Sequence, residues 1–337
     1  HAWAGAVLIM DPNTGKILAQ VTEPSFDNNH RYDKIWWAEN IPEDMPDWAK
    51  KLTDRTYQYR RPVGSTFKMV TGMAGLEYGV INAREKIYAG GRTRINNQHV
   101  NDYGNAVHGN VDMRRALAVS SNIYFATVGS RLGSEKIYEY IEKFGMSRGQ
   151  KNAGFDDIAL DEQVASLDYR LGRTWVGGHT VQISYGQLNE FTVMQMGNYV
   201  SMLANGGTHY KPYLVEKVTD YQGETVEFFE PQILDQQDFS PESLKVIREG
   251  MQQSAARSKF LKGLPFPVAG KTGSAEHDRS NRKNKERWRD THSWWVGYAP
   301  YDDPEIAIVV FMEYAGAGSR SIEVARDIID FYFGLEK

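Results

Sequence analysis

The 337-residue sequence predicts an α+β fold: a central antiparallel sheet built from N- and C-terminal strands, with flanking helices and an α-rich subdomain. Three observations lead there. Runs of β type gather at the two ends of the chain, helical periodicity dominates between them, and the final segment carries one apolar helical face suited to covering a sheet. The expected division is one domain over 1–337, with a sheet subdomain from about 1–27 and 208–337 and an α-rich subdomain from about 62–207.

In chain order, an apolar run from Gly5, the turn residues Asp11-Pro12-Asn13-Thr14-Gly15 and a β-rich run from Lys16 to Thr22 predict a hairpin. Asn28 to Arg61 has no clean period and is rich in Asn, Pro, charge and the aromatics Trp36, Trp37 and Trp48, so it reads as a long, partly helical connection. Phe67 to about Ala204 is patterned as helix, punctuated at Gly79, Gly90-Gly91, Gly109, Gly145, Gly177-Gly178 and Gly206-Gly207. Beyond Lys211-Pro212, Tyr213 to Val218 and Thr225 to Phe229 are β-like, and Ser240 is placed to cap a helix reaching about Gln253. Val268 to Glu276, Ser293 to Ala299 and Ile306 to Tyr314 predict strands, the last two joined by the turn Pro300-Tyr301-Asp302-Asp303-Pro304. In Ser321 to Phe333, Ile322, Ala325, Ile328, Ile329 and Tyr332 share the helical face that would cover that sheet. A ligand groove is expected between the sheet and the helical part.

Composition narrows the function. With 41% hydrophobic and 24% charged residues the chain is a folded globular protein. Its net charge of −4 provides no global basic field, so no nucleic-acid partner is expected. The absence of cysteine removes disulfides, thiolate metal sites and cysteine nucleophiles. His99, His108 and His277 lack metal-ligand spacing, no Gly-rich phosphate loop follows a strand, and no cofactor is implied. The charged run Glu276 to Asp290 reads as a solvated loop, against the alternative of an anion-binding segment. The longest apolar runs, Ala6 to Met10 and Ile306 to Met312, are too short to span a bilayer.

Three short stretches could carry chemistry. Gly64-Ser65-Thr66-Phe67-Lys68 precedes an apolar helical run, which sets Ser65 at a helix start with Lys68 one turn on, on the same face. A hydroxyl needs a neighbouring base to become a nucleophile, and a lysine is such a base only where burial or nearby cations depress its pKa. The plain alternative is a helix cap beside a surface lysine; Ser280-Asn281-Arg282-Lys283 repeats the spacing inside the charged run, with no apolar helix behind it. Ser120-Ser121-Asn122 interrupts an apolar stretch with polar side chains that need partners, either a substrate or each other at a helix junction. Lys271-Thr272-Gly273-Ser274 lies on a small-residue strand, where Gly270 and Gly273 would admit a ligand backbone and the other side chains would bind a carboxylate.

Ser-x-x-Lys, Ser-x-Asn and Lys-Thr-Gly in this order resemble the motif set of penicillin-binding proteins and serine β-lactamases. The resemblance covers nearly the whole chain: the opening hairpin, Tyr59 to Lys68, His108-Gly109, Ala116 to Phe125, Ser184-Tyr185-Gly186-Gln187, Ala204-Asn205-Gly206-Gly207 and His292 to Pro300 all look like family landmarks. It is strongest for class B penicillin-binding proteins, the monofunctional peptidoglycan transpeptidases. Two departures stand out: Arg61-Pro62-Val63-Gly64 is one residue longer than the usual approach to the nucleophile, and Leu188 follows Gly186-Gln187 where glycine is common.

The resemblance implies the transpeptidase fold and a D,D-transpeptidase that cross-links peptidoglycan stem peptides and is acylated by β-lactam antibiotics. Ser65 would be the nucleophile, Lys68 its base, Ser120 the proton relay and Asn122 a contact to the substrate amide. Lys271, Thr272, Gly273 and Ser274 would bind the substrate, its terminal carboxylate held by Lys271, Thr272 and Ser274, and the backbone N–H groups of Ser65 and Ser274 would form the oxyanion hole. Glu162 matches a glutamate common in these transpeptidases and is read as structural. A glycosyltransferase partner, an extracytoplasmic location, and a membrane anchor and pedestal outside these residues are further expectations. Two alternatives share the motifs: the β-lactam sensor domain of a receptor and a serine β-lactamase.

Overall fold

The computed structural model describes residues 4–30, 32–40, 50–146, 177–276 and 291–335. Five strands form the central antiparallel sheet: β1 (Gly5–Met10), β2 (Ile17–Glu23), β3 (Ala269–Glu276), β4 (Thr291–Ala299) and β5 (Ile306–Met312), in the order β3-β4-β5-β1-β2. The two ends of the chain meet where β1 pairs with β5, Val7 opposite Val310. The helices in chain order are α1 (Lys34–Asn40), α2 (Lys68–Glu77), α3 (Met113–Val119), α4 (Asn122–Leu132), α5 (Ser134–Lys143), α6 (Gly177–Ile183), α7 (Val193–Asn205), α8 (Pro241–Ala256) and α9 (Ser319–Tyr332).

Strands β4 and β5 are buried on both faces, which is why they read as near-continuous apolar runs. Their side chains still alternate. Trp294, Val296 and Tyr298 enter the larger core with Ala307, Val309 and Phe311, whereas Trp295, Ile308 and Val310 pack under Ile322, Ala325 and Ile329 of α9. On the opposite face α7 lies close against β1: a Cβ added to Gly197 would fall 2.5 Å from Leu8 Cδ2. Burying each of the two tryptophans contributes about 3 kcal/mol or more, and together they fix β4 between two layers of helix.

Helix ends follow their sequence signals. Ser240 caps α8, Thr192 and Gln195 form a capping box on α7, and Asp112 caps α3. α8 runs to Ala256 and α9 from Ser319, both close to expectation, although Tyr332 is 43% exposed and does not join the covering face.

The stretch expected to be helical from Phe67 to Ala204 is not uniformly so. Ile87–Gly90 pairs with Val107–Val111, and Arg92–Ile95 with Gln98–Asn101. The second pair is a two-residue hairpin whose central Asn96 and Asn97 both have positive φ, 46° and 63°. That is the turn whose twist matches paired strands. Of the β-like run Tyr213 to Val218, only Lys217–Thr219 forms a strand.

Candidate active site

The approach to Ser65 is held from three directions. Arg61-Pro62 pairs antiparallel with Glu190-Phe191, the Val63 and Gly64 N–H groups donate to Asn189 O (3.3 Å) and Gly186 O (3.0 Å), and Trp294 Nε1 donates to Pro62 O (2.9 Å). Thr66 Oγ1 closes the turn onto Val63 O at 2.8 Å, and Tyr199 OH donates to Thr66 O at 3.2 Å. Gly64–Phe67 is thereby a 3-10 turn that continues into α2 at Lys68. The residues at the cap positions of the turn and of α2 are Val63 and Phe67, neither with a side-chain cap. The Ser65 hydroxyl is therefore not spent on capping.

Lys68 is fully buried and its ammonium position is boxed. Nζ lies 2.7 Å from Ser120 O, 2.7 Å from Asn122 Oδ1 and 3.1 Å from Ser120 Oγ. The first two partners only accept, so they take two N–H bonds in either protonation state. The third position faces a hydroxyl, which can accept from an ammonium or donate to an amine lone pair. This cage accommodates both forms of the nitrogen. Burial is the main force pushing the Lys68 pKa well below its ordinary value, and the charge of Lys271 adds to it, against the opposing attraction of Asp102.

Ser120 ends α3 in the left-handed conformation (φ 58°, ψ 43°), which turns both its carbonyl and its hydroxyl toward Lys68. Ser121 then caps α4, so the polar interruption is at once a helix junction and a wall of the site. Beneath it lies Asp102, 2% exposed, which accepts from Ser121 Oγ (3.0 Å) and the Ile123 N–H (3.1 Å). Asn122 is fixed from the same hairpin, its Nδ2 donating to Asn101 O at 2.8 Å. Sequence reasoning did not single out Asp102; its signal is the Asn96-Asn97 hairpin that carries it, not any spacing to the motifs.

Strand β3 faces this wall as the free edge of the sheet. Lys271 is 1% exposed and donates to Thr272 O at 3.0 Å; burial lowers its pKa to about 7. Ser274 Oγ accepts from the Gly318 N–H at 2.9 Å, and Gly318 is held by the loop that Ser293 and Ser321 tie down, their hydroxyls 3.0 Å apart. The strand glycines also have a packing role. A Cβ on Gly270 would strike the Trp295 ring at 2.4 Å and one on Gly273 would strike Val63 O at 2.4 Å. Their smallness serves packing within the chain, against β4 and against the Ser65 turn. Gly64 is equally close to Ser274, its added Cβ meeting Ser274 O at 2.7 Å.

All three motifs thus gather around one centre, with Ser65 in the turn that leads into α2, Ser120 and Asn122 on the helical side and Lys271 to Ser274 on the sheet side. A groove of about 1320 Å³ opens beside them, lined by Ser120, Lys271 and Thr272 at its inner end. Glu162, His277, Ser280 and Lys283 lie outside the described residues.

The family model of the penicillin binding protein transpeptidase domain matches residues 5–330, and the chain belongs to that family. It is of the class B type. It is 28% identical over 352 residues to the peptidoglycan D,D-transpeptidase MrdA of Haemophilus influenzae, covering 97% of this chain and 52% of that protein. The chain thus spans about half the length of the curated relatives it first matches. Among solved structures it is similar to penicillin-binding protein A of M. tuberculosis as its ceftriaxone acyl-enzyme, with TM-score 0.81, 25% identity, and coverage of 97% of this chain and 73% of that one. A structure of a peptidoglycan synthase complex that coordinates polymerization and crosslinking gives TM-score 0.83 and 25% identity, covering 99% of this chain and 56% of that one. No helix among the described residues is long and apolar enough to cross a membrane.

Proposed function

We propose that this chain is the catalytic domain of a peptidoglycan D,D-transpeptidase that works through a serine acyl-enzyme. One observation carries the reading: a fully buried lysine amine, its pKa depressed, held against Ser120 and Asn122 at the first helical residue after the Ser65 turn. Ser65 Oγ attacks the carbonyl between two D-alanines of a stem peptide, and Lys68 takes its proton. The backbone N–H groups of Ser65 and Ser274 receive the developing oxyanion, each such donor lowering the barrier by about 3–4 kcal/mol. Ser120 passes the proton to the departing amine, while Asn122 holds the substrate amide, and Lys271, Thr272 and Ser274 hold the terminal carboxylate. An amine from a second stem then takes the acyl group. β-Lactams mimic the D-alanyl-D-alanine unit and acylate the same hydroxyl, as ceftriaxone acylates the mycobacterial relative.

The whole protein is placed by this proposal on the extracytoplasmic face of the membrane, beside a glycosyltransferase. The similarity to a synthase complex that couples polymerization to crosslinking supports that partner.

Incubation with benzylpenicillin followed by mass spectrometry tests the reading. One long-lived adduct per chain is expected, and none after Ser65→Ala; an adduct surviving that substitution moves the nucleophile elsewhere, and continuous turnover of the penicillin makes the chain a β-lactamase.

The two lysines also set a pH profile. Lys68 must be unprotonated to act, so the acylation rate rises with pH through its lowered pKa; Lys271 must be protonated to hold a carboxylate, so the rate falls as pH rises past about 7. Lys271→Arg should remove the falling limb alone, because guanidinium keeps its charge throughout. Second-order acylation rates from pH 5 to 10 would check this, and an unchanged falling limb in the variant would assign it to another group.

A further inference from the structure

The groove beside the centre continues well past the carboxylate subsite. From Ser120, Lys271 and Thr272 it runs around the free edge of β3, over Trp295, to the segment after α8 and the first turns of α9. Neither Ser65 nor Ser274 lines it. It therefore extends on the side of the Ser120 hydroxyl. In the mechanism above, that hydroxyl delivers a proton to the departing amine, and by microscopic reversibility the same hydroxyl receives the proton of the incoming one. An acceptor amine must occupy the place the leaving D-alanine vacates, and its remaining atoms must then lie in the groove.

The charge of the groove says what those atoms are. Arg257, Lys259 and Arg320 line its outer part, and among the described residues none of the three makes an ion pair. Two carboxylates, Glu323 and Asp327, line it as well. Three cations thus face two carboxylates, which leaves the outer groove with a positive excess. Nearby Arg326, by contrast, is paired with Asp330 at 2.7 Å.

We infer that this groove is the acceptor channel and that it selects an amine carrying a further carboxylate along its chain, which Arg257, Lys259 and Arg320 attract. The inference rests on the transpeptidase reading. The amine nitrogen bonds to the acyl carbon and the bond from that carbon to Ser65 Oγ breaks. The amine proton passes through Ser120 and Lys68 to Ser65 Oγ.

The test uses a D-alanyl thioester donor and three acceptors of similar length that differ in terminal charge: D-2-aminoadipate, D-norleucine and D-lysine. The ratio of transfer to hydrolysis is read by mass spectrometry, so water serves as the internal reference and loss of folding removes both products. The unsubstituted chain should transfer to D-2-aminoadipate about fivefold better than to D-lysine, a modest factor because exposed ion pairs are weak. Combined Arg257→Glu and Arg320→Glu should reverse that order. Equal ratios for the three acceptors, a preference for D-lysine in the unsubstituted chain, or an order unmoved by charge reversal would overturn the inference. If the unsubstituted chain neither hydrolyses the thioester nor forms a penicillin ester at Ser65, the transpeptidase reading fails with it; if it does both and the charge series is flat, only the acceptor assignment fails.

Discussion

Replacing Lys68 with methionine should slow acylation by benzylpenicillin by about 10³–10⁴-fold, the upper part of the range for losing a positioned general base. Methionine matches the length and apolar stem of lysine, so the pocket stays filled; what goes is the nitrogen that Ser120 and Asn122 surround. Two acceptors, Ser120 O and Asn122 Oδ1, lose their donor in the variant, and a stability loss of about 1–3 kcal/mol should accompany the kinetic one. Lys68→Arg separates charge from basicity. The guanidinium retains a cation but cannot give up its proton near neutral pH, so acylation should fall about as far as with methionine. Stopped-flow acylation rates on the three proteins decide the matter: an arginine variant within tenfold of the unsubstituted chain would mean that Lys68 acts by its charge and that Ser65 has another base.

Among the described glycines, Gly186→Ala should be the most damaging substitution. Gly186 has φ +86°, and a Cβ there would fall 1.9 Å from Gly64 O, with no flexible side chain to move aside. The Gly64 N–H bonds to Gly186 O at 3.0 Å in the same contact, so the two backbones are locked face to face directly before Ser65. Left-handed backbone costs a residue with a Cβ about 1–2 kcal/mol, and overpacking in a closed site adds about 1–3 kcal/mol or more. A destabilisation of about 3 kcal/mol or above is expected, together with loss of penicillin acylation, as the Ser65 turn is pushed off its position. Gly206→Ala is the matched control. Its φ is +91° but nothing lies within 4 Å of the added atom, so only the conformational cost should appear and acylation should persist. Denaturant midpoints and acylation rates on both variants check the contrast; equal effects would mean that the close approach of Gly186 to Gly64 is not what holds the turn.

The legible and illegible parts of the site differ in kind. The Ser65 and Lys68 pair, the Ser120 to Asn122 interruption and the Lys271 to Ser274 strand are each local, and a local pattern survives in a sequence. Asp102 does not: it meets Ser121 and the Ile123 N–H through a hairpin 19 residues upstream of Ser121. That hairpin lies in the stretch read as helix, although Asn96-Asn97 between β-branched and polar residues was a turn signal in plain sight. The packing role of Gly270 and Gly273 was not legible either, because what their missing side chains make room for, the Trp295 ring and Val63 O, is remote in the sequence. The cap reading of Ser65 failed for a related reason. Whether a hydroxyl caps a helix depends on the turn that precedes it, and here that turn is dictated by Asn189 and Gly186.

The sequence by itself determined the strands of the central sheet, the ends of α8 and α9 and the side chains available for chemistry, since these depend on periodicity, turn residues and caps within a few positions of one another. Only the tertiary structure decided that Lys68 is buried in a cage of two obligate acceptors and one hydroxyl, that Lys271 lies close enough to lower its proton affinity, and that unpaired cations continue the groove beyond them. Protonation and charge are set by distance and by exclusion of water, and both are properties of segments brought together across the fold.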